Sequence, residues 1–224
     1  MRKIDKSEPL RDFIDFVRRN KPRDWDKDVP SDLKRNVREH ILYVEQNQWS
    51  AYTERKLDNN DASLHVDHFV KQQYCKSGQQ FEWTNLFVDE HAGIERYGAD
   101  FKDNSKKRVV KSLDDCLKLI NPAKEDPHDY FSYAVNGEIM AKFEIDEIKR
   151  EKADFTICAF NLNEHLKYQR REVLRAIALY KISGHSADDT KSSLLKCSSF
   201  PSLIEYFCRP EIWNCIDINL AYQK

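Results

Sequence analysis

The sequence predicts an α+β protein, mainly helical, and three observations carry that prediction. Apolar residues recur at helical spacing over several long stretches. Two shorter runs, 64–69 and 81–88, read as strands. The pair Asn136-Gly137, flanked by apolar segments, signals a two-residue hairpin turn.

Residues 10–19 place Leu10, Phe13, Ile14, Phe16 and Val17 near helical spacing, and Pro22 closes the run. After a polar, proline-containing stretch, residues 32–46 repeat the pattern with Leu33, Val37, Ile41, Leu42 and Val44, Ser31 offering a cap. Gln48 to Leu57 then leads into a polar loop at 58–61, rich in Asn and Asp, before the two strands. A helix is expected over 105–120, ended by Asn121-Pro122, because proline cannot continue the hydrogen-bond ladder. A boundary placed there gives residues 1–110 as one lobe with N-terminal helices. Residues 111–224 form a helical C-terminal lobe with one β-hairpin, 130–135 and 138–143. Residues 154–160 read as a strand or extended entry, and 164–182 as a long helix carrying Leu166, Val173, Leu174, Ile177 and Leu179. The tail, 192–221, alternates short helical patterns with Pro201 and Pro210.

At 224 residues the chain has room for a catalytic core with a helical extension. Its 33% charged residues and five glycines argue against a long flexible linker, and 40% hydrophobic content supplies a core. The formal net charge of −1 gives no general basic field, so contact with a polyanion must come from local patches or from a partner. Six scattered cysteines without a C-x-x-C pair read as reduced thiols. A charged N-terminus and the lack of a long apolar window point to a cytoplasmic protein without membrane contact.

The chemistry concentrates in His65-Val66-Asp67-His68. Neighbours on a strand point to opposite sides, so Asp67 can hold a metal while His68 faces the water or phosphate, provided a twist brings both near. An imidazole is poised to act as general base at neutral pH, which gives His68 that role, with His65 beside it as a second candidate catalytic residue. Asn85, in Trp83-Thr84-Asn85-Leu86, is suited to tie the strands together and orient the histidine. On residue types alone, a solvated strand end is the competing reading.

The order Ser50-Ala51-Tyr52-Thr53-Glu54, His65-Val66-Asp67-His68-Phe69, Trp83-Thr84-Asn85-Leu86 and Tyr97-Gly98-Ala99-Asp100-Phe101-Lys102-Asp103 resembles the PtuB family of HNH nuclease subunits. These belong to the Septu anti-phage systems, and related subunits accompany some retrons. The likeness extends to Ile4-Asp5-Lys6-Ser7-Glu8-Pro9 and to Asn161-Leu162-Asn163, covering most of the first 175 residues. It implies an HNH ββα-metal nuclease core with helical flanks and a C-terminal lobe, hydrolysing phosphodiester bonds, with DNA as the expected substrate. It also implies a PtuA-like ATPase subunit as partner and, in retron-type systems, a reverse transcriptase with its msDNA. An RNase of the same chemistry cutting host tRNA and a non-catalytic scaffold subunit are the alternatives.

Family members commonly carry Cys-Ala-Tyr-Cys-Glu and a second cysteine pair, whereas Ser50 and Thr53 stand here at the cysteine positions. Serine does not ligate Zn²⁺ usefully, so no structural zinc is expected, and packing of Trp49, Tyr52 and Leu57 takes its place. The position about nine residues after Asn85 is Ile94, which cannot ligate a metal. Candidates for the further ligand are His91, Asp100 and Asp103, of which the resemblance around residues 98–103 implies Asp100 first and His91 next. Asp67 and Asp100 as a carboxylate pair would suit Mg²⁺ or Mn²⁺. Lys102, Lys106, Lys107 and Arg108 are candidate phosphate contacts, as are Tyr168, Arg170, Arg171 and Arg175 further on. An ordinary solvated helix face is the competing reading for both groups.

Overall fold

The computed structural model describes residues 1–58, 63–93, 96–104, 106 and 109–222, in an α+β arrangement with two small antiparallel sheets. Helix α1 (Arg11–Asn20) buries Phe13 and ends at Lys21, whose φ of 49° turns the chain ahead of Pro22. The polar stretch that follows holds a single helical turn, α2 (Trp25–Asp28), which the sequence reading missed. Asp24 caps it by accepting from the amides of Asp26 and Lys27, and the turn buries Trp25. Helix α3 (Ser31–His40) starts straight after Pro30 and widens into a π-turn over Ile41–Glu45, so Ser31 stands inside the helix rather than capping it.

Strands β1 (Leu64–His68) and β2 (Leu86–Glu90) pair antiparallel, with Asp67 opposite Phe87 and His68 opposite Leu86. The second strand begins later than expected because residues 79–85 fold into two 3-10 turns that bury Phe81 and Trp83. Side chains alternate across the pleat. Leu64, Leu86 and Val88 join Phe13, Trp25, Val37, Ile41 and Leu42 in one core. Phe87, on the other face, joins Tyr52, Phe69, Phe160 and Leu174 in a second and larger one. The sheet is therefore a partition between two hydrophobic cores, each large side chain contributing about 1.5–3 kcal/mol by its burial.

Helix α4 (Gly98–Asp103) packs against β2. The helix expected over 105–120 shrinks to α5 (Leu113–Lys118), because the Ser112 hydroxyl accepts from the Asp115 amide and fixes the start there. Residues 105, 107 and 108 of that expectation lie outside the described residues. The hairpin forms as β3 (Phe131–Tyr133) and β4 (Ile139–Ala141). Gly137 in its turn has φ +84°, and a Cβ there would lie 2.1 Å from the Lys167 carbonyl oxygen.

Residues 154–159 are not extended but lie in α6 (Glu147–Ala159), with Phe160 as its C-cap. Asp146 caps this helix, and Ala153, Thr156 and Ala159 turn its small-residue face inward. Next come α7 (Leu166–Ile182), α8 (Ala187–Cys197), α9 (Pro201–Phe207) and α10 (Pro210–Trp213), the last two opened by prolines at their first turn. The larger core draws residues from both sides of position 110, so the hydrophobic interior does not divide there.

Residues 198–202 clasp the segment before β1. Trp49 Nε1 donates to the Ser198 carbonyl (3.1 Å), the Lys56 amide to Ser199 Oγ (2.9 Å), the Phe200 amide to the Glu54 carbonyl (2.8 Å), and Ser202 Oγ to the Glu54 carboxylate. Among the described residues no helix is long and apolar enough to cross a membrane.

Candidate metal centre

The alternation of β1 separates Asp67 from His68 instead of bringing them together. Asp67 faces the larger core, 4% exposed, where Lys102 Nζ approaches its two carboxylate oxygens at 2.8 and 3.1 Å and the Tyr52 hydroxyl donates to Oδ2. Lys102 comes from α4, is itself fully buried, and also donates to the His68 carbonyl at 2.9 Å. Burial alone would raise the Asp67 carboxyl, but the Lys102 charge and these hydrogen bonds outweigh it and hold the pKa below the usual carboxylate value. The oxygens of Asp67, expected as a metal ligand, are thus hydrogen-bonded to an internal cation.

His68 points the other way, with its ring edge-on to Trp25 at 5.1 Å and a hydrogen bond to the backbone of Gln80. Its Nε2 is buried without a hydrogen-bond partner among the described residues. Burial, partly opposed by the Asp67 charge, pushes its pKa down to about 4, so the imidazole is neutral at physiological pH. The expected general base is thus 5% exposed, packed against Trp25, and still part of the lining of the cleft that holds His91 and Asp100.

Asn85 does tie the strands, though not through the histidine. Its Oδ1 accepts from the Val70 amide (2.8 Å), its amide donates to the Gln79 carbonyl (3.3 Å), and its own carbonyl accepts from the Phe69 amide (2.9 Å). Asn85 therefore shapes the loop between the strands.

What converges is a different set. One ligand atom each from His65, His91 and Asp100 lies within 4.8 Å of the others. The ladder continues past β2 through the His91 amide, which donates to the Ser63 carbonyl (2.8 Å) and sets that histidine beside His65. Asp100 reaches in from the first turn of α4, 3.1 Å from His91 Nδ1, with its other oxygen accepting from the Gly93 amide (2.9 Å). His65 Nδ1 is buried and has no partner among the described residues, and burial lowers the pKa of this imidazole, keeping its nitrogens available to a cation rather than a proton. The cluster lines an open cleft of about 460 Å³, to which Asp67, His68, Lys71, Gln72 and Asp103 also contribute.

Two imidazoles and a carboxylate with one buried nitrogen left unsatisfied fit a divalent cation. The set is softer than the Asp67–Asp100 pair expected for Mg²⁺ and shifts the preference toward Mn²⁺, Zn²⁺ or Ni²⁺. The rings of His65 and His91 stack at 3.9 Å and 12°. Parallel rings cannot both point their lone pairs at one ion, so coordination requires a ring rotation, for which His91, 55% exposed, has the room. His65, expected as a catalytic residue, thus stands among the candidate ligands, with His91 and Asp100 where they were expected.

Beside this centre, Ser50 Oγ donates to Asp89 Oδ1 (2.6 Å) and the Ala99 amide to Oδ2 (2.7 Å), while the Thr53 amide donates back to Ser50 Oγ. A hydrogen-bonded knot thus occupies the place where the resemblance puts cysteines, and Trp49, Tyr52 and Leu57 are all buried around it. Asp89 at its centre was not singled out from sequence; a carboxylate directly after the apolar run 86–88 was the available signal. Of the expected phosphate contacts, Lys102 is buried, and so is Arg170, which donates to the carbonyls of Gly137 and Leu162. Arg175 pairs with Glu172 on its own helix. Lys106 and Tyr168 are exposed, and Lys107 and Arg108 lie outside the described residues.

No protein-family model matches the chain, and no curated protein is similar to it.

Proposed function

We propose that the chain is a metal-dependent phosphodiester hydrolase of the HNH kind, the nuclease component of a Septu- or retron-type anti-phage complex acting on DNA. The observation that carries this reading is the convergence of His65, His91 and Asp100 at an open cleft, on an antiparallel strand pair followed by a helix. A divalent cation held there would supply the positive charge that a phosphodiester transition state needs. His65 is the fixed donor, since the sheet holds its backbone, while the exposed His91 ring, 3.1 Å from Asp100, turns to bring its nitrogen to the ion. Gln72 and Lys71 edge the same cleft and can donate to phosphate oxygens. Of the two ions expected, Mn²⁺ suits this donor set better than Mg²⁺, and a PtuA-like ATPase remains the partner this reading calls for.

A second reading, a non-catalytic scaffold of the same complex, is favoured by two observations: Asp67 is paired with Lys102, and the His68 ring is packed against Trp25. The deciding experiment is cleavage of labelled plasmid DNA and of total tRNA with Mn²⁺ or Mg²⁺, with and without the co-encoded ATPase. Wild type is compared with His65→Ala and His91→Ala. Cleavage that needs metal and is lost in both variants supports the hydrolase and identifies its polymer. Assembly with the ATPase but no cleavage under any condition supports the scaffold.

A further inference from the structure

On α3, Ser31, Lys34, Arg35 and Arg38 follow the spacing that puts them on one helix face, alongside the face that buries Val37 in the core. The acidic residues of this helix, Asp32 and Glu39, fall off that stripe. The stripe forms one wall of a groove of about 410 Å³, and Leu64, His65 and Val66 of β1 form the other. His65, Val66 and Gln72 line both this groove and the cleft holding His91 and Asp100, so the two run into each other.

The cations on this wall differ from those elsewhere near the site. Lys102 and Arg170 are spent on internal acceptors, whereas Lys34, Arg35 and Arg38 have no carboxylate partner among the described residues. Arg38 is pinned by Nη1 donating to the Leu64 carbonyl (3.1 Å), and its buried Nε has no partner. Lys34 Nζ meets only the Asp26 carbonyl (2.9 Å), and Arg35 is exposed. Asp26 is the one carboxylate on the groove wall. Three uncompensated cations on one face, in a chain of net charge −1, form the kind of local patch that attracts a polyanion.

We propose that Lys34, Arg35 and Arg38 form a phosphate-binding track that receives the backbone of a polynucleotide and leads it to the His65–His91–Asp100 centre. The proposal rests on the hydrolase reading above and adds to it the route by which substrate arrives. From Lys34 to Arg38 the helix rises about 6 Å, enough to meet more than one phosphate of a strand that advances about 3.4 Å per nucleotide. Such contacts read backbone charge and not base sequence, so the track orients the substrate without selecting it.

The test uses the full chain in EDTA and fluorescein-labelled duplex DNA, single-stranded DNA and single-stranded RNA, with affinity followed against salt concentration. The double variant Lys34→Gln/Arg35→Gln is compared with wild type and with a control on α8, Lys191→Gln/Lys196→Gln. Loss of two phosphate contacts should lower the salt slope by about 1.8 on duplex DNA, or about 1.4 on single strands, while the control keeps the wild-type slope. A circular-dichroism melt of each variant separates this from misfolding, and the probe that shows the change names the polymer.

An unchanged slope in the double variant overturns the track, and if the same wild-type protein cleaves with Mn²⁺, the hydrolase reading survives it. A reduced slope without cleavage keeps the track and removes the hydrolase. Wild type that neither binds nor cleaves any of the three overturns both.

Discussion

Lys102 Nζ lies 2.8 Å from Asp67 Oδ2 at the edge of the larger core, an ion pair in which the lysine is fully buried and the carboxylate nearly so. Such a pair contributes little compared with an apolar replacement of both partners, but breaking one side strands the other charge. Lys102→Met is expected to cost about 3–5 kcal/mol in urea denaturation, and the double variant Asp67→Asn/Lys102→Met to recover most of it. A Lys102→Met protein as stable as wild type would show that the pair is not formed in solution.

The His65–His91–Asp100 cluster should register cations as stability. At a hundredfold excess over Kd a bound ion adds about 2.7 kcal/mol, or about 5–10 °C of Tm for a chain of this size. Mn²⁺, Zn²⁺ or Ni²⁺ should produce the shift more strongly than Mg²⁺ at equal concentration, and His91→Ala and Asp100→Asn should abolish it. A shift that survives in both variants would place the ion elsewhere.

Two buried groups pull the pH dependence in opposite directions. Burial lifts Asp89 from the ordinary 3.8 to about 6, so the folded protein holds that proton more tightly than the unfolded chain. Its contribution is present below 3.8 and lost as pH rises through about 6. Burial lowers His68 from 6.5 to about 4, so its contribution is present above 6.5 and lost as pH falls toward 4. In metal-free protein, Asp89→Asn should gain on wild type as pH rises from about 4 to 6, and His68→Gln should gain as pH falls over that range. Each effect amounts to up to about 3 kcal/mol. Urea midpoints that stay parallel to wild type across the range would count against both assignments.

Gly137→Ala tests the hairpin. Its positive φ and the 2.1 Å approach of a Cβ to the Lys167 carbonyl oxygen leave no room for alanine. A loss of more than about 2 kcal/mol is expected, measured by thermal or urea unfolding, and a neutral result would mean that the turn and α7 separate readily.

The elements written in a single strong signal were legible: α1, α3, α7 and the hairpin at Asn136-Gly137 follow directly from period and turn chemistry. The errors came where a local cap overrode the run of residue types. Asp24 made a turn in a polar stretch, Ser112 postponed a helix, and Asp146 drew 154–159 into α6. Of the candidate site, His91 and Asp100 were named from sequence and do meet, with His65 joining them in a different role. Asp67 and His68 could not be placed correctly without knowing that both faces of β1 are buried, which only the packing of α1–α3 on one side and α4 on the other decides. The cationic stripe on α3 was visible as i, i+3, i+4, i+7 spacing but had no meaning until β1 was set beside it.

The clasp between residues 198–202 and the 49–56 segment joins positions nearly 150 residues apart. A ribosome making this chain has therefore completed β1, β2 and α4 well before the bonds that secure the segment leading into them can form. The tie that secures the segment before β1 thus forms only after the strand pair that carries His65 has left the ribosome, and a product cut short before residue 198 lacks it.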